Sequence, residues 1–483
     1  MTQRLHGLRA GVFDALTGRE VDSVIVHMDN TIEEVTRVTA AGAQSHVRES
    51  DQIGVRVDRR GNFGATWGPR SDVSGARRLA ERACNLAEPG TGACALPRPL
   101  ADFDDDRAER TVTACDPSDV SQSERVELLQ AAVAVAESVP GVTASAEAVV
   151  YRRTTDLFSS SGGRRFRELV HTDAVLRVRA DGRDGQAWRN YPAGPGSAAS
   201  GGWEHIINLD LPGHALQCAN EAVALAAARY CPEGVGPVVL DSSQLAMQIH
   251  ESIGHPLEID RIHGREADYA GGSFVQPSDV GRLQYGSPVV NVFGSASGLG
   301  VGTLGWDDDG YAVSSGALIT GGVLTGLIGA SKSVDSEQSP GIAQSSASRS
   351  DGAALPLVRM ANVDLQPGEG STDDLLTEMG SGLLLLGNRS FSIDADRRRF
   401  HFACEGAWRI SNGQRVEMLR APGYQGSTLP FWRSCVKVAG AAEWQTHSVT
   451  FCVKGDPRQR ARVGHGAAPA LFDAVSYGPV SGR

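Results

Sequence analysis

Several features are missing from this chain, and each absence narrows what it can be. No run of about eighteen apolar residues occurs, so a membrane-spanning helix is not expected. The most apolar stretches, LLQAAVAVA at 128–136 and GLLLLG at 382–387, are far too short. The first twenty residues carry charges throughout and lack the apolar core of a signal peptide, so a cytoplasmic protein is expected. There is no excess of positive charge. The formal net charge is −11 and the isoelectric point about 5.6, which argues against nucleic acid or an anionic membrane as the main partner. None of the 8 cysteines forms a CxxC pair, and reduced, buried thiols are the expectation. The glycines of GLGVGT (298–303) come without the lysine of a phosphate loop. The acidic patch DFDDD (102–106) lacks the glycine and distal Glu of an EF-hand and reads as a solvated linker. No internal repeat of 20–50 residues is found.

What is present is an ordinary globular composition, 41% hydrophobic and 21% charged, over 483 residues. That length exceeds what one hydrophobic core normally serves, so two domains are expected. Glycine numbers 57 and is densest after residue 270, favouring turns and short strands there. The first half differs. Residues 124–139 and 214–229 carry apolar positions at helical spacing, and 75–87 also reads as helix. Residues 144–154 and 168–182 alternate as strands do. Residues 50–68 read as a hairpin whose strands meet at Arg59, Arg60 and Gly61. Segment 191–202 is a loop by composition. The expected fold class is α+β. A mixed helix and strand domain (1–230, open to further division near 100–120) precedes a strand-rich, Gly-rich domain (231–483), introduced by the buried strand GPVVLD.

The sharpest local signal follows that strand: His250-Glu251-Ser252-Ile253-Gly254-His255-Pro256. It is the HExxH zinc-protease pattern with one residue inserted. At about 100° per residue, two positions five apart on a regular α-helix lie roughly 140° apart, so both rings cannot face one ion. Gly254 suggests a left-handed helix end, and Pro256 disfavours a helical His255. The sequence therefore predicts a helix ending near Ile253, with His255 turning back toward His250. Glu251 adjoins the site. Taken alone, the motif is equally compatible with two ordinary histidines.

The motif and its surroundings resemble the TldD/PmbA family of metallopeptidases. The similar segments occur in order: IGVRVDRRGNFGATWG, GVGPVVLDSSQLAMQIHESIGHPLEIDR, PLVRMANVDLQPGEGS, RFHFACEGAWRISNGQRV, PGYQGSTLPFWRSCVKVAG and SVTFCVKGDP. They cover most of the chain from about residue 50. The resemblance implies His250 and His255 as metal ligands and a cysteine near the C-terminus as the third, which here falls on Cys452. Val453 and Asp456 depart from the family pattern, and Cys404 and His447 compete for the role. Two imidazoles and a thiolate leave one position of a tetrahedral zinc for water, with Glu251 placed as the general base. The same donors can also hold copper, but Glu251 then has no task. Glu258, Asp260 and Arg261 either orient the ligands or face solvent. Arg359–Asn362 either line the cleft or form a strand beneath it. The resemblance further implies zinc-dependent hydrolysis of small or unfolded peptides, and pairing with a related subunit lacking the metal motif, or with a second copy. A tailoring amide hydrolase acting on a peptide-derived metabolite is the alternative within enzymes. A non-catalytic binding subunit is the alternative outside them.

Overall fold

Long alternating segments in the first half close into one eight-stranded sheet. The computed structural model describes residues 3–88, 100–182, 185–329, 343–344 and 347–480. Strands β1 (Ser23–Thr39), β2 (Gly42–Arg59), β3 (Asn62–Pro69), β4 (Asp106–Arg110), β5 (Val142–Ser159) and β6 (Arg164–Gly182) take the order β3-β2-β1-β5-β6-β4. The short strands β7 (Gly185–Tyr191) and β8 (Ala199–Ser200) pair with β6. The β2–β3 hairpin turns at Arg60 (φ 52°) and Gly61 (φ 72°). Both are left-handed, as a two-residue turn matched to strand twist requires.

Alternation puts every second residue of early β5 inside, against helices α3 (Gln122–Glu137) and α5 (Leu211–Ala227). Ser121 and Glu124 start α3 with a reciprocal capping box. Helices α1 (Gln3–Leu16) and α2 (Val73–Leu86) cover β1 and β2 through Leu8, Val12, Ala80 and Ala83. The short α4 (Trp203–Leu209) leads into α5.

The second half is built around two sheets. One contains β9 (Gly234–Leu240), β18 (Gly382–Ile393), β19 (Arg399–Ser411), β20 (Gln414–Leu419), β21 (Pro422–Ser427), β22 (Cys435–Val438) and β25 (Ala470–Pro479). The other runs β12-β11-β10-β17-β24-β23, from β10 (Val292–Ser295), β11 (Gly316–Thr320), β12 (Val323–Leu324), β17 (Asn362–Leu365), β23 (Gln445–Lys454) and β24 (Gln459–Ala467). Two small pairs, β13 (Gly326–Leu327) with β14 (Ala343–Gln344) and β15 (Ala347–Arg349) with β16 (Leu357–Arg359), complete it. Val238, Val239 and Leu240 form the continuous apolar run of a strand covered on both faces. Helix α6 (Ser242–Ile249) leaves β9 directly and packs against strands of both sheets. The architecture is α+β with a strand-rich second half, as the sequence predicts.

Seven cysteines are described and none is paired; all are buried except the half-buried Cys115. Cys94 lies outside the described residues. The acids of the 102–106 patch are exposed, but Phe103 between them is buried and Asp105 pairs with Arg165 at 2.6 Å. No described helix is long and apolar enough to cross a membrane.

A buried charge network joins the two halves. Asp308 accepts from Arg153 at 3.3 Å and from Arg167, while Arg56 reaches Asp309 at 2.6 Å. Arg153 also holds Asp29 at 2.7 Å, and Ser350 donates to Asp308 through its N–H at 2.8 Å. Burial opposes ionisation, yet Arg153 and Arg167 hold the Asp308 carboxyl well below its usual range. Removing one member of such a cluster strands buried charge on the others. Asp308→Ala should therefore cost about 3–5 kcal/mol in urea unfolding. A loss smaller than ~1 kcal/mol would show that these guanidiniums find water instead.

Candidate metal centre

The inserted residue of the motif is absorbed by a change of helix type. Asp241 caps α6 by accepting from the Gln244 N–H at 2.7 Å. After Ile249 the backbone widens into a π turn over His250–Gly254 and tightens to a 3₁₀ turn over His255–Leu257. The N–H of His255 donates to the carbonyl of His250, so the two histidines are the ends of one five-residue turn. The expected left-handed exit and helix end near Ile253 are not found. Gly254 (φ −54°, ψ −65°) and His255 (φ −62°, ψ −42°) are both right-handed.

Two tertiary contacts explain the difference. A Cβ on Gly254 would run into Met360 Sδ, so glycine serves close packing here. Pro256 has no N–H to offer the Ser252 carbonyl, and Tyr285 Oη donates to that oxygen instead. The chain continues into the short helix α7 (Ile259–Ile262).

The hydrogen bonds at the two rings fix which nitrogen is free. His465 Nδ1 lies 3.0 Å from the Val363 carbonyl, which can only accept, so this nitrogen carries the hydrogen. In the neutral ring His465 Nε2 is then an acceptor. His250 Nδ1, 2.7 Å away, must donate to it, leaving His250 Nε2 bare. His255 Nδ1 likewise donates to Glu258 Oε2 at 2.9 Å, leaving its Nε2 bare. The His250 and His255 rings meet edge to face, with centroids 4.6 Å apart. Cys452 Sγ lies 3.5 Å from His255 Nε2. One ligand atom from each of His250, His255 and Cys452 falls within 4.8 Å of the others, and all three residues are buried.

The competitors lie elsewhere. Cys404 is fully buried in the core, where burial and the charge of Asp241 push its thiol well above the usual value. His447 Nε2 meets Ser242 Oγ at 3.0 Å. The structure thus brings His250, His255 and Cys452 together and leaves Cys404 and His447 out of the cluster. Two bare imidazole nitrogens and a thiolate are a donor set that suits zinc.

Electrostatics favour the forms that bind a metal. Burial pushes His250 down to about 4 and lowers His255, so both rings are neutral near pH 7. Burial acts against a Cys452 thiolate, but the Arg359 charge works the other way, and the thiol lies below its usual value. Arg359 donates to the Cys452 carbonyl. Glu258, also buried, is held well below the usual carboxylate range by Lys454 and His255. Lys454 Nζ lies 3.3 Å from Glu258 and 2.7 Å from Asp260. Of the two sequence readings for Glu258, Asp260 and Arg261, facing solvent does not hold: all three are buried, and Glu258 and Arg261 lie beside His255. Arg359 and Asn362 are buried strand residues beneath the cleft.

Glu251 accepts from Arg397 and faces, with His250, His255 and Cys452, a cleft of about 840 Å³. Arg397 also donates to the Ala270 carbonyl at 3.0 Å and occupies a left-handed backbone conformation (φ 64°). Sequence reasoning missed His465, Tyr285 and Arg397. No spacing rule links them to the motif: His465 lies 215 positions from His250, and Arg397 lies 146 from Glu251.

Comparison with known proteins agrees with this picture. Residues 233–476 match the family model described as PmbA/TldA metallopeptidase C-terminal domain. A metalloprotease of Methanothermobacter thermautotrophicus is 26% identical over 460 residues, 94% of this chain and 92% of that protein. A metalloprotease TldD homolog of Haemophilus influenzae is 25% identical over 59% of this chain and 58% of its own. Among solved structures, TldE from Thermococcus kodakarensis superposes with a TM-score of 0.75 at 13% identity, covering 98% of this chain and 100% of that one. A Thermotoga maritima protein described as a modulator of DNA gyrase gives 0.78 at 14%, with the same coverage. At those identities the structural matches speak for the fold alone. The family match, which spans half the chain and contains both histidines and Cys452, makes this protein a member of the TldD/PmbA metallopeptidase family.

Proposed function

We propose that the chain hydrolyses peptide bonds in small or unfolded peptides, using zinc held by His250, His255 and Cys452. One observation carries this reading: two imidazoles with assigned free nitrogens meet a buried cysteine sulfur beside a carboxylate that opens on a cleft. Zinc bound there would supply Lewis-acid chemistry, polarising a carbonyl and acidifying water. Glu251 takes the proton of the attacking water and returns it to the departing amine. Arg397 holds the Glu251 carboxylate in place for both transfers. The third donor lies on β23, the edge of its sheet, and an edge strand is where an extended peptide can add. A TldE-like subunit, or a second copy of this chain, is the proposed partner.

The purified protein should carry about one zinc per chain, measured by elemental analysis. His250→Ala, His255→Ala or Cys452→Ala should lose it, while Cys404→Ala should keep it, since a lost ligand removes much of the binding free energy. Metal retained by Cys452→Ala would refute the ligand set. Glu251→Gln should keep zinc and the fold but lower peptide turnover by roughly 10²–10⁴, the usual share of a positioned acid–base group. Equal turnover by this variant and wild type would remove Glu251 from the mechanism.

A pH dependence follows for metal-free protein. His250 and His447 are both pushed down to about 4 by burial, while unfolded histidine stays near 6.5. Between these values the unfolded chain binds more protons, so stability is full above pH 6.5 and falls as pH drops toward 4. Each such histidine contributes a slope of about 1.4 kcal/mol per pH unit. Urea unfolding of the stripped protein at pH 7 and pH 5 should show that loss. A pH-independent midpoint would mean that the rings protonate within the fold.

A further inference from the structure

A second cleft, of about 700 Å³, shares Gly194, Pro195, Thr450 and Phe451 with the metal-side cleft. Its walls come from the β1–β2 hairpin, β5, β6, the 190–197 loop and β24. The two clefts meet across the edge strand β23. Cys452 pairs in register with Ala461, and alternation turns Arg462 to the opposite face of β24 from Ala461, Val463 and His465. A peptide lying along β23 thus presents alternate side chains to the metal and to this second cleft.

Three arginines around the cleft are paired with carboxylates, and two of its aspartates accept from neutral donors. Arg48 pairs with Glu33 at 3.6 Å and Arg177 with Glu147 at 3.4 Å. Arg153 is taken by Asp29 and Asp308. Asp173 accepts from Ser197 Oγ at 2.8 Å, and Asp351 accepts from the Arg460 N–H at 3.1 Å. Three lining groups are different. Arg349 donates to the carbonyls of Met360 at 3.3 Å and Arg462 at 2.6 Å, which leaves its charge uncancelled by those contacts. Arg462 lies 4.4 Å over the Tyr151 ring, and its buried Nε has no hydrogen-bond partner. His171 is 1% exposed, stacks on Tyr151 at 5.6 Å, and has no hydrogen-bond partner on either ring nitrogen. Beyond desolvation, the guanidiniums of Arg462, Arg349, Arg153 and Arg167 all act against a proton on His171. A neutral His171 still has one N–H to donate. A buried donor without a partner, beside one arginine with an unpartnered Nε and a second whose printed hydrogen bonds all go to carbonyls, is a receptor for an anion.

We propose that this cleft binds a carboxylate of the substrate peptide through Arg462 and His171, with Arg349 adding to the field. The choice of a peptide as the ligand's carrier rests on the function proposed above. The carboxylate is an acidic side chain or the free C-terminus. The test uses full-length Glu251→Gln protein and fluorescently labelled alanine-based hexapeptides, read by anisotropy. One pair of peptides differs by Glu against Gln with amidated ends. The other pair has neutral side chains and differs by a free or amidated C-terminus.

At least one carboxylate peptide should bind about tenfold or more tightly than its neutral counterpart, the scale of a hydrogen bond to a charged group. Which pair shows the difference identifies the source. Arg462→Gln should abolish the preference while leaving zinc content unchanged. His171→Phe, which keeps the stack on Tyr151, should reduce it independently. Equal binding within both pairs overturns the proposal, as does a preference that survives both substitutions. Binding is read without turnover. A protein that cleaves nothing but keeps the carboxylate preference would count against the hydrolytic reading and leave this inference standing.

Discussion

Everything at the candidate centre depends on a helix buried on all sides. Each of the eight residues of α6 is buried, so any polar group on it needs a protein partner. The sequence meets that demand with polar residues four apart. Gln244 donates to Tyr424 Oη at 2.8 Å, and Tyr424 donates to Gln248 at 2.8 Å. Gln248 donates to Ser252 Oγ at 2.7 Å, and Trp432 Nε1 donates to the same oxygen at 2.9 Å. A rotation or slide of the helix would break several of these bonds at once inside a dry core, each costing about 1–3 kcal/mol. The helix therefore has one position, and the π turn that follows inherits it. His250 and His255 need no induced movement to face each other.

The same dryness decides the chemistry of the candidate ligands. Burial alone disfavours charge on imidazole and on thiol alike. For the histidines that is the wanted result, because neutral imidazole binds metal. For Cys452 it is the wrong one, and the chain opposes it with a buried arginine, Arg359. Glu258 shows the balance from the other side. Its carboxylate serves as acceptor for His255 only because Lys454 and Arg261 share it, and Lys454 is in turn held by Asp260. From His255 outward the charges alternate in sign, with Glu258 first, Lys454 and Arg261 next, and Asp260 beyond Lys454.

How much of this could be read from the sequence depends on the range of the forces involved. The β2–β3 hairpin, α2, α3, α5 and the buried β9 follow from local pattern, and they were legible. The His-Glu-His motif and Cys452 were legible through spacing and resemblance. The path of the chain between the histidines was not. Gly254 and Pro256 each carry a strong local preference for ending a helix, but Met360 packs where the Gly254 Cβ would be, and Tyr285 satisfies the carbonyl that Pro256 leaves unpaired. Tertiary contacts overrode propensity at the residues where the site needed an unusual turn. His465 and Arg397 left no local trace, because their roles exist only once distant strands and loops have packed.

The first half of the chain reaches the site through the loop after β7, and one buried carboxylate anchors the start of that loop. Glu405, on β19, accepts from Arg189 Nη1 at 2.7 Å, the Asn190 side chain at 2.6 Å, the Asn190 N–H at 3.1 Å and the Gly194 N–H at 3.3 Å. Those donors belong to β7 and the loop after it, and Gly194 with Pro195 forms the rim shared by both clefts. Gly194 also passes so close to the Asn388 carbonyl that a Cβ there would collide with it. A loop rich in glycine and alanine has little apolar surface with which to hold itself. Three bonds to Glu405 hold the end of β7 and one holds Gly194, while the N–H groups of Asn388 and Ser448 donate to the Gly194 and Gly196 carbonyls, each at 3.0 Å. Burial raises the Glu405 carboxyl, with Arg189 pulling the other way, so the anchor depends on keeping that guanidinium in contact. The position of the rim is thus fixed by β19 of the second half and β7 of the first together. The cleft takes its shape only when both halves are folded.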